Sequence, residues 1–261
     1  MDERVNPSLP SPADEPTISE LDGIRYLHFS TPWVQGAMRI KNPSELVLAY
    51  ARQMMAWLLF LAPGKESTIG ILGLGAGSLV RFALKQTRSS VVTVEWNARV
   101  IAACRAYFRL SKSARSTVDQ CDAANWVRQS RNAGRCCALM VDIYDAHARG
   151  PVHESLEFYQ GCYRSLSDSG VMTVNLFGDH ESFPRNLANI RAVFDGGVLE
   201  LPEIDVGNRV ILAFKGPLLE IGALQFMDRA RLVESRYGLP AVRWAKSLLR
   251  QRDFRDRSRK V

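Results

Sequence analysis

Short apolar runs and amphipathic stretches alternate along the middle of the chain. Residues 69–72, 91–94, 136–141 and 170–176 are apolar runs of strand length, too short for helices, and 116–121 reads as a further strand. Between them, apolar positions recur at helical spacing. Leu79, Phe82, Ala83 and Leu84 form one such face, and Val100, Ile101, Cys104 and Phe108 form another, in a helix capped by Asn97 and running through Leu110. Further helices are predicted over 123–131, 156–166 and 185–194. Residues 198–201 and 209–214 make a closing pair whose link is too short for a parallel crossover. The pattern predicts an α/β fold with a doubly wound, mainly parallel seven-stranded sheet and an antiparallel last strand.

The flanks extend this plan. Residues 18–29 and 32–40 read as a short N-terminal β-hairpin with Ser30-Thr31-Pro32 as its turn. A hairpin is marginal alone, so it must pack on the main domain or pair with a second copy in a homodimer. Asn42, Pro43 and Glu45 carry a capping-box signature, and Leu46, Tyr50, Met54, Trp57 and Leu61 continue one helical face until Pro63-Gly64. Two C-terminal helices are predicted over 218–237 and 240–249, with a frayed charged end over 250–261. The domain plan is a disordered leader (1–16), the hairpin (17–42), a Rossmann-like domain (43–216), and helices with a basic tail (217–261).

Candidate chemistry gathers where predicted strands end. Gly73, Gly75 and Gly77 follow the first strand of the main domain, a helix follows them, and the next strand ends on Glu95. Glycines let the chain turn tightly and let a ligand approach the backbone, while a helix start offers unpaired N–H groups. A strand-end carboxylate can accept from both hydroxyls of a ribose. The expected ligand is an adenosine-type nucleoside with an unmodified ribose. The glycine spacing is not that of dinucleotide sites, which favours an S-adenosyl donor over NAD. Asp122 and the stretch Asp142–Asp145 end two further strands. One acid would serve the ribose, one the adenine amino group, and the third lies where a transferred group belongs. Each also suits the cap of a following helix, Asp122 above all.

Composition narrows the alternatives. The net charge of +7 is concentrated in the tail, where residues 217–261 hold 11 Lys+Arg against 5 Asp+Glu. That basicity therefore says little about the site, and without aromatic interleaving a solvated tail is a better reading than a nucleic-acid surface. The five cysteines include no Cys-x-x-Cys pair, and the four histidines have no metal spacing, so no metal is expected. The cysteines suit a reducing cytoplasm. No apolar run is long enough to span a bilayer, and residues 1–16 do not form a secretory signal.

The run Val141-Asp142-Ile143-Tyr144-Asp145 with Gly150-Pro151, then Phe158-Tyr159, then Leu166 to Gly170-Val171, resembles the spermidine synthase (polyamine aminopropyltransferase) family, whose pattern there is Asp-Ser-Ser-Asp-Pro, Gly-Pro, Phe-Tyr and Leu…Gly-(Ile/Val). The likeness spans roughly residues 33–214 and implies the S-adenosylmethionine-dependent methyltransferase version of the doubly wound sheet. It implies decarboxylated S-adenosylmethionine as co-substrate and a small amine of putrescine type as acceptor. Glu95 would hold the ribose, Asp122 and Ala123 the adenine, and Gly73, Gly75 and Gly77 the turn beside the donor. Asp142 would be the catalytic base and Asp145 a ligand for the acceptor amine, with Tyr50 and Tyr144 lining a slot for its methylene chain.

The sequence also departs from the family. The Gly-Gly-Gly-Asp-Gly turn is here Gly73-Leu74-Gly75-Ala76-Gly77, so the acid that helps hold the donor's aminopropyl ammonium is Ala76. Glu-Ile-Asp is Glu95-Trp96-Asn97, and Tyr-His-Glu is Tyr50-Ala51-Arg52, which places a cation where an acceptor-side acid is expected. Donor binding thus carries over better than aminopropyl transfer. A methyltransferase of the same fold, favoured by Ala76, and a non-catalytic nucleoside-binding relative stand as alternatives.

Overall fold

The computed structural model describes residues 15–29, 31, 33–110, 112–144, 152–204, 207–217 and 221–251. Residues 1–14 of the predicted leader (1–16), the turn residues Ser30 and Pro32, Asp145 and the last ten residues lie outside the described set.

Seven strands form the main sheet: β4 (Thr68–Leu72), β5 (Ser90–Glu95), β6 (Ser116–Gln120), β7 (Cys136–Val141), β8 (Leu166–Phe177), β9 (Val198–Glu200) and β10 (Asn208–Phe214). Their order is β6-β5-β4-β7-β8-β10-β9. All neighbouring pairs from β6 to β8 are parallel, and β10 runs antiparallel to both β8 and β9, as the short closing link requires. Alternate residues feed two cores. Ile69, Ile71, Val91, Ala138 and Met140 join one, while Leu72, Val92, Val94, Leu139 and Val141 join the other. The sheet is therefore buried on both faces, which is why its strands are apolar runs rather than alternating ones.

Helices α2 (Ser78–Gln86) and α3 (Ala98–Tyr107) pack with α1 (Ala49–Met54), α7 (Ala223–Tyr237) and α8 (Ala241–Leu248) on the first face. The second face carries α4 (Ala123–Arg128), α5 (Leu156–Ser165) and α6 (Phe183–Val193). The chain runs outward from β4 to β6 and then returns to β7 on the other side of β4. That reversal opens a crevice beyond the ends of β4 and β7, where ligands bind in open α/β sheets. Among the described residues no helix is long and apolar enough to cross a membrane.

Two local expectations change. The N-terminal piece is a three-stranded antiparallel sheet, β1 (Thr17–Leu21), β2 (Ile24–His28) and β3 (Gly36–Arg39), instead of a two-stranded hairpin. Asp22-Gly23, both at positive φ, turns the chain inside what reads as one strand. This is the two-residue turn whose backbone twist suits a hairpin. Helix α1 begins at Ala49, with no side-chain cap at Leu48, and continues as a 3-10 turn over Met55–Leu59. The Asn42–Glu45 signature closes only a local turn, because Arg81 and Arg52 draw the carbonyls of Pro43 and Leu46 into bonds at 2.6 and 2.7 Å and hold the segment off the helix.

The small sheet packs on the main domain. A Cβ on Gly36 would lie 2.6 Å from that of Ala76, and Ser78 Oγ donates to Ala37 O at 2.7 Å. Leu27 and Met38 are fully buried in the first core. Gly36→Ala is expected to lower the unfolding free energy by about 1–3 kcal/mol, as overpacking does. Urea denaturation measures this; a change below about 0.5 kcal/mol would mean that β3 retreats at no cost.

Candidate functional site

Three strand ends meet at the crevice. Gly73 follows β4 with φ +97°, and a Cβ there would stand 2.0 Å from the carbonyl oxygen of Asp142. Its N–H donates to Val94 O at 2.9 Å, while the N–H of Asp142 donates to Leu72 O at 2.9 Å. The backbone of the turn is thus stitched to the ends of β5 and β7 at once. Gly75 and Gly77 also have positive φ, at +49° and +72°, and the thiol of buried Cys104 donates to Gly75 O at 2.8 Å from behind. Arg81, held below its usual value at about 10 by burial, donates to Ala76 O and Phe108 O.

Glu95 ends β5 and is 8% exposed. Its Oε2 accepts from Leu74 N–H at 3.1 Å and its Oε1 from Asn97 N–H at 2.8 Å. Burial raises its carboxyl, and backbone N–H groups of Asn97, Leu74 and Trp96 pull it partly back. Asn97 caps α3 through its side chain, as expected.

Asp142 stands just past β7, partly exposed at the crevice. Burial pushes its carboxyl from 3.8 up to about 6, while hydrogen bonds from Asn175 and Tyr50 oppose the rise. Asn175 Nδ2 is 3.1 Å from Oδ1. Burial, Asp142 and Tyr144 raise the Tyr50 hydroxyl well above its ordinary range, so it stays a donor. Burial, then Asp142, does the same to Tyr144, whose hydroxyl donates to Asn175 O at 3.1 Å. Tyr50, Tyr144 and Asp142 therefore share one polar patch.

Sequence reasoning missed Asn175. It is 2% exposed, and among the described residues its Oδ1 has no partner. The available signal was an amide near the end of the mainly apolar run 170–176, where a polar side chain needs a partner or a purpose.

Asp122 has two duties. Its Oδ1 accepts from Asn125 N–H at 2.9 Å and caps α4, and its Oδ2 is 2.7 Å from His153 Nε2. Ala123 opens α4 and is buried. Arg52 donates to Leu46 O at 2.7 Å, which turns its guanidinium back on its own loop. Asp145 lies outside the described residues. Among those residues no group of His, Cys, Asp and Glu could hold a metal ion.

No protein-family model matches the chain. It is 33% identical over 240 residues to a polyamine aminopropyltransferase of Chromobacterium violaceum, covering 90% of this chain and 89% of that one. It is 32% identical over 226 residues to one of Neisseria meningitidis, covering 85% and 84%. Among solved structures, a probable spermidine synthase from Corynebacterium glutamicum superposes with a TM-score of 0.70 at 18% identity, covering 89% of this chain and 91% of that one. A spermidine synthase in complex with the transition-state analogue AdoDATO gives 0.66 at 20% identity, covering 93% and 87%. A human methyltransferase-like protein 13 bound to SAH, at 0.61 and 21% identity over 73% of this chain, shares the fold. The sequence relatives decide the matter: the chain belongs to the polyamine aminopropyltransferase family and is a transferase on a methyltransferase-like sheet.

Proposed function

We propose that this transferase moves the aminopropyl group of decarboxylated S-adenosylmethionine to a primary amine of putrescine type. The observation that carries the reading is Asp142: a carboxylate at the crevice, bonded by Asn175 and Tyr50, with its carboxyl near 6. A base of that strength is largely ionised at neutral pH yet still able to accept a proton. The acceptor arrives as an ammonium, since its pKa is near 10 like that of Lys. Asp142 binds that ammonium and takes one proton as the nitrogen attacks the aminopropyl carbon beside the sulfonium. The new C–N bond forms, the C–S bond breaks, and its electron pair returns to sulfur, leaving the neutral thioether methylthioadenosine.

The remaining groups support this assignment. Glu95, at the end of β5, would receive a ribose hydroxyl on the acceptor direction that its backbone partners leave. Gly73, Gly75 and Gly77 keep side chains away from the donor, and Asp122 with Ala123 faces the adenine. Asn175 Nδ2 holds the Asp142 carboxylate from the β8 side. Tyr50 and Tyr144 flank the methylene chain, and Asp145 would meet the amine's far end.

A second reading, methyl transfer from intact S-adenosylmethionine, rests on Ala76. Its Cβ faces Gly36, so no acid stands where the family holds the donor's aminopropyl ammonium. Calorimetry separates the two: aminopropyl transfer predicts tighter binding of methylthioadenosine, and methyl transfer predicts tighter binding of S-adenosylhomocysteine.

The direct test incubates the purified protein with labelled decarboxylated donor and several diamines; the absence of any aminopropylated product would overturn the first reading. Asp142→Asn is expected to cut turnover by about 10²–10⁴-fold. In the wild type, kcat/KM should rise with pH through about 6 as Asp142 ionises. Stability moves the opposite way. A carboxyl raised from 3.8 to about 6 contributes fully below 3.8 and loses that contribution as pH rises through about 6, at most about 3 kcal/mol. Asp142→Asn should therefore melt above the wild type near pH 8, with the gap closing near pH 4. An unchanged rate in this variant would remove Asp142 from the chemistry.

A further inference from the structure

The acid at the end of β6 does not stand alone. His153 precedes α5 and lies 31 positions from Asp122 in sequence, yet its Nε2 is 2.7 Å from Asp122 Oδ2. The other oxygen, Oδ1, is fixed by Asn125 N–H at 2.9 Å. Each oxygen thus has one set partner and one open lone-pair direction. The carboxylate side chain is 39% exposed and the imidazole 28%, and a surface pair of this kind adds little to stability. Its consequence lies in orientation.

The imidazole is itself well held. Its ring centroid is 5.3 Å from that of Phe158, which is buried in the second core. The preceding residue is tied by Val152 N–H to Ile143 O at 3.2 Å, and the following one by Asn189 Nδ2 to Glu154 O at 2.9 Å. His153 is therefore a braced donor that fixes a solvent-facing carboxylate, in a place where an unbraced one would rotate.

We propose that His153 is a positioning residue of the donor's base site, holding the Asp122 carboxylate so that Oδ2 accepts from the exocyclic amino group of an adenine and rejects a 6-oxo purine. This rests on the reading of Asp122 as the adenine acceptor. An amino group donates to a carboxylate, whereas a keto oxygen in its place sets acceptor against acceptor. The sharper the carboxylate's orientation, the larger that difference.

Calorimetric titration of the full chain with 5′-methylthioadenosine and 5′-methylthioinosine, which differ at the purine 6-position, tests this. The wild type should favour the adenosine ligand, and His153→Ala should cut that preference about tenfold by weakening methylthioadenosine alone. His153→Phe, which keeps the ring against Phe158 but has no donor, should give the same loss, so the test survives if the alanine variant fails to fold. His153→Gln, whose amide N–H can replace Nε2, should restore most of the preference. Equal weakening of both ligands, or a preference unchanged in the variants, overturns the proposal while leaving the donor reading intact. A wild type that binds neither ligand overturns both.

Discussion

The site depends on one steric fact: position 73 has no side chain. The ends of β4 and β7 approach so closely that a Cβ there would overlap the carbonyl oxygen of Asp142. With hydrogen instead, the turn bonds back to β5 through Gly73 N–H, and Asp142 bonds to β4 through its own N–H. Adjacent parallel strands are about 4.8 Å apart. Glu95, the turn and Asp142 are thereby set side by side at the switch point before any ligand contributes. The positive φ of Gly73 comes from the same demand, since a residue with a Cβ would be strained there even with space to spare.

The second constraint is electrostatic. Glu95 and Asp142 are carboxylates that the fold partly strips of water, and both are pushed upward by it. The fold answers differently in the two places. Glu95 is surrounded by backbone N–H groups, which stabilise its charge and fix its direction, as befits a group proposed to bind and not to react. Asp142 receives side-chain donors, Asn175 and Tyr50, and its carboxyl stays near 6. Burial that costs stability is retained where the proposed reaction needs a proton to move, a common trade at active sites.

Some of this architecture was readable from the sequence and some was not, for physical reasons. β7 spans Cys136–Val141 as its apolar run predicts, because a strand buried on both faces has to be apolar throughout. Asn97 caps α3 because a cap is a local interaction that sequence neighbours satisfy. The Asp22-Gly23 turn was overlooked because apolar residues continue on both sides of it, though that dipeptide is itself a strong hairpin signal. The Asn42 signature misled for the converse reason: Arg81, 38 residues away, and Arg52 claim carbonyls that a helix there would have used. The partnerships of Asn175 with Asp142 and of His153 with Asp122 bridge 33 and 31 residues, and no local pattern encodes them.

Ala76 shows how packing and recognition compete for one position. The side chain is 2% exposed, and Gly36 of β3 leaves it just enough room. A carboxylate at 76 would have to push the N-terminal sheet away. The small sheet and the glycine turn thus meet through an apolar contact, which firms the junction. In the proposed reaction the ammonium would then find its acceptors on the β7–β8 side. There Asp142 lies with the Tyr50 and Tyr144 hydroxyls. In the proposed reaction the same few groups would therefore bind the amine, orient it and accept its proton.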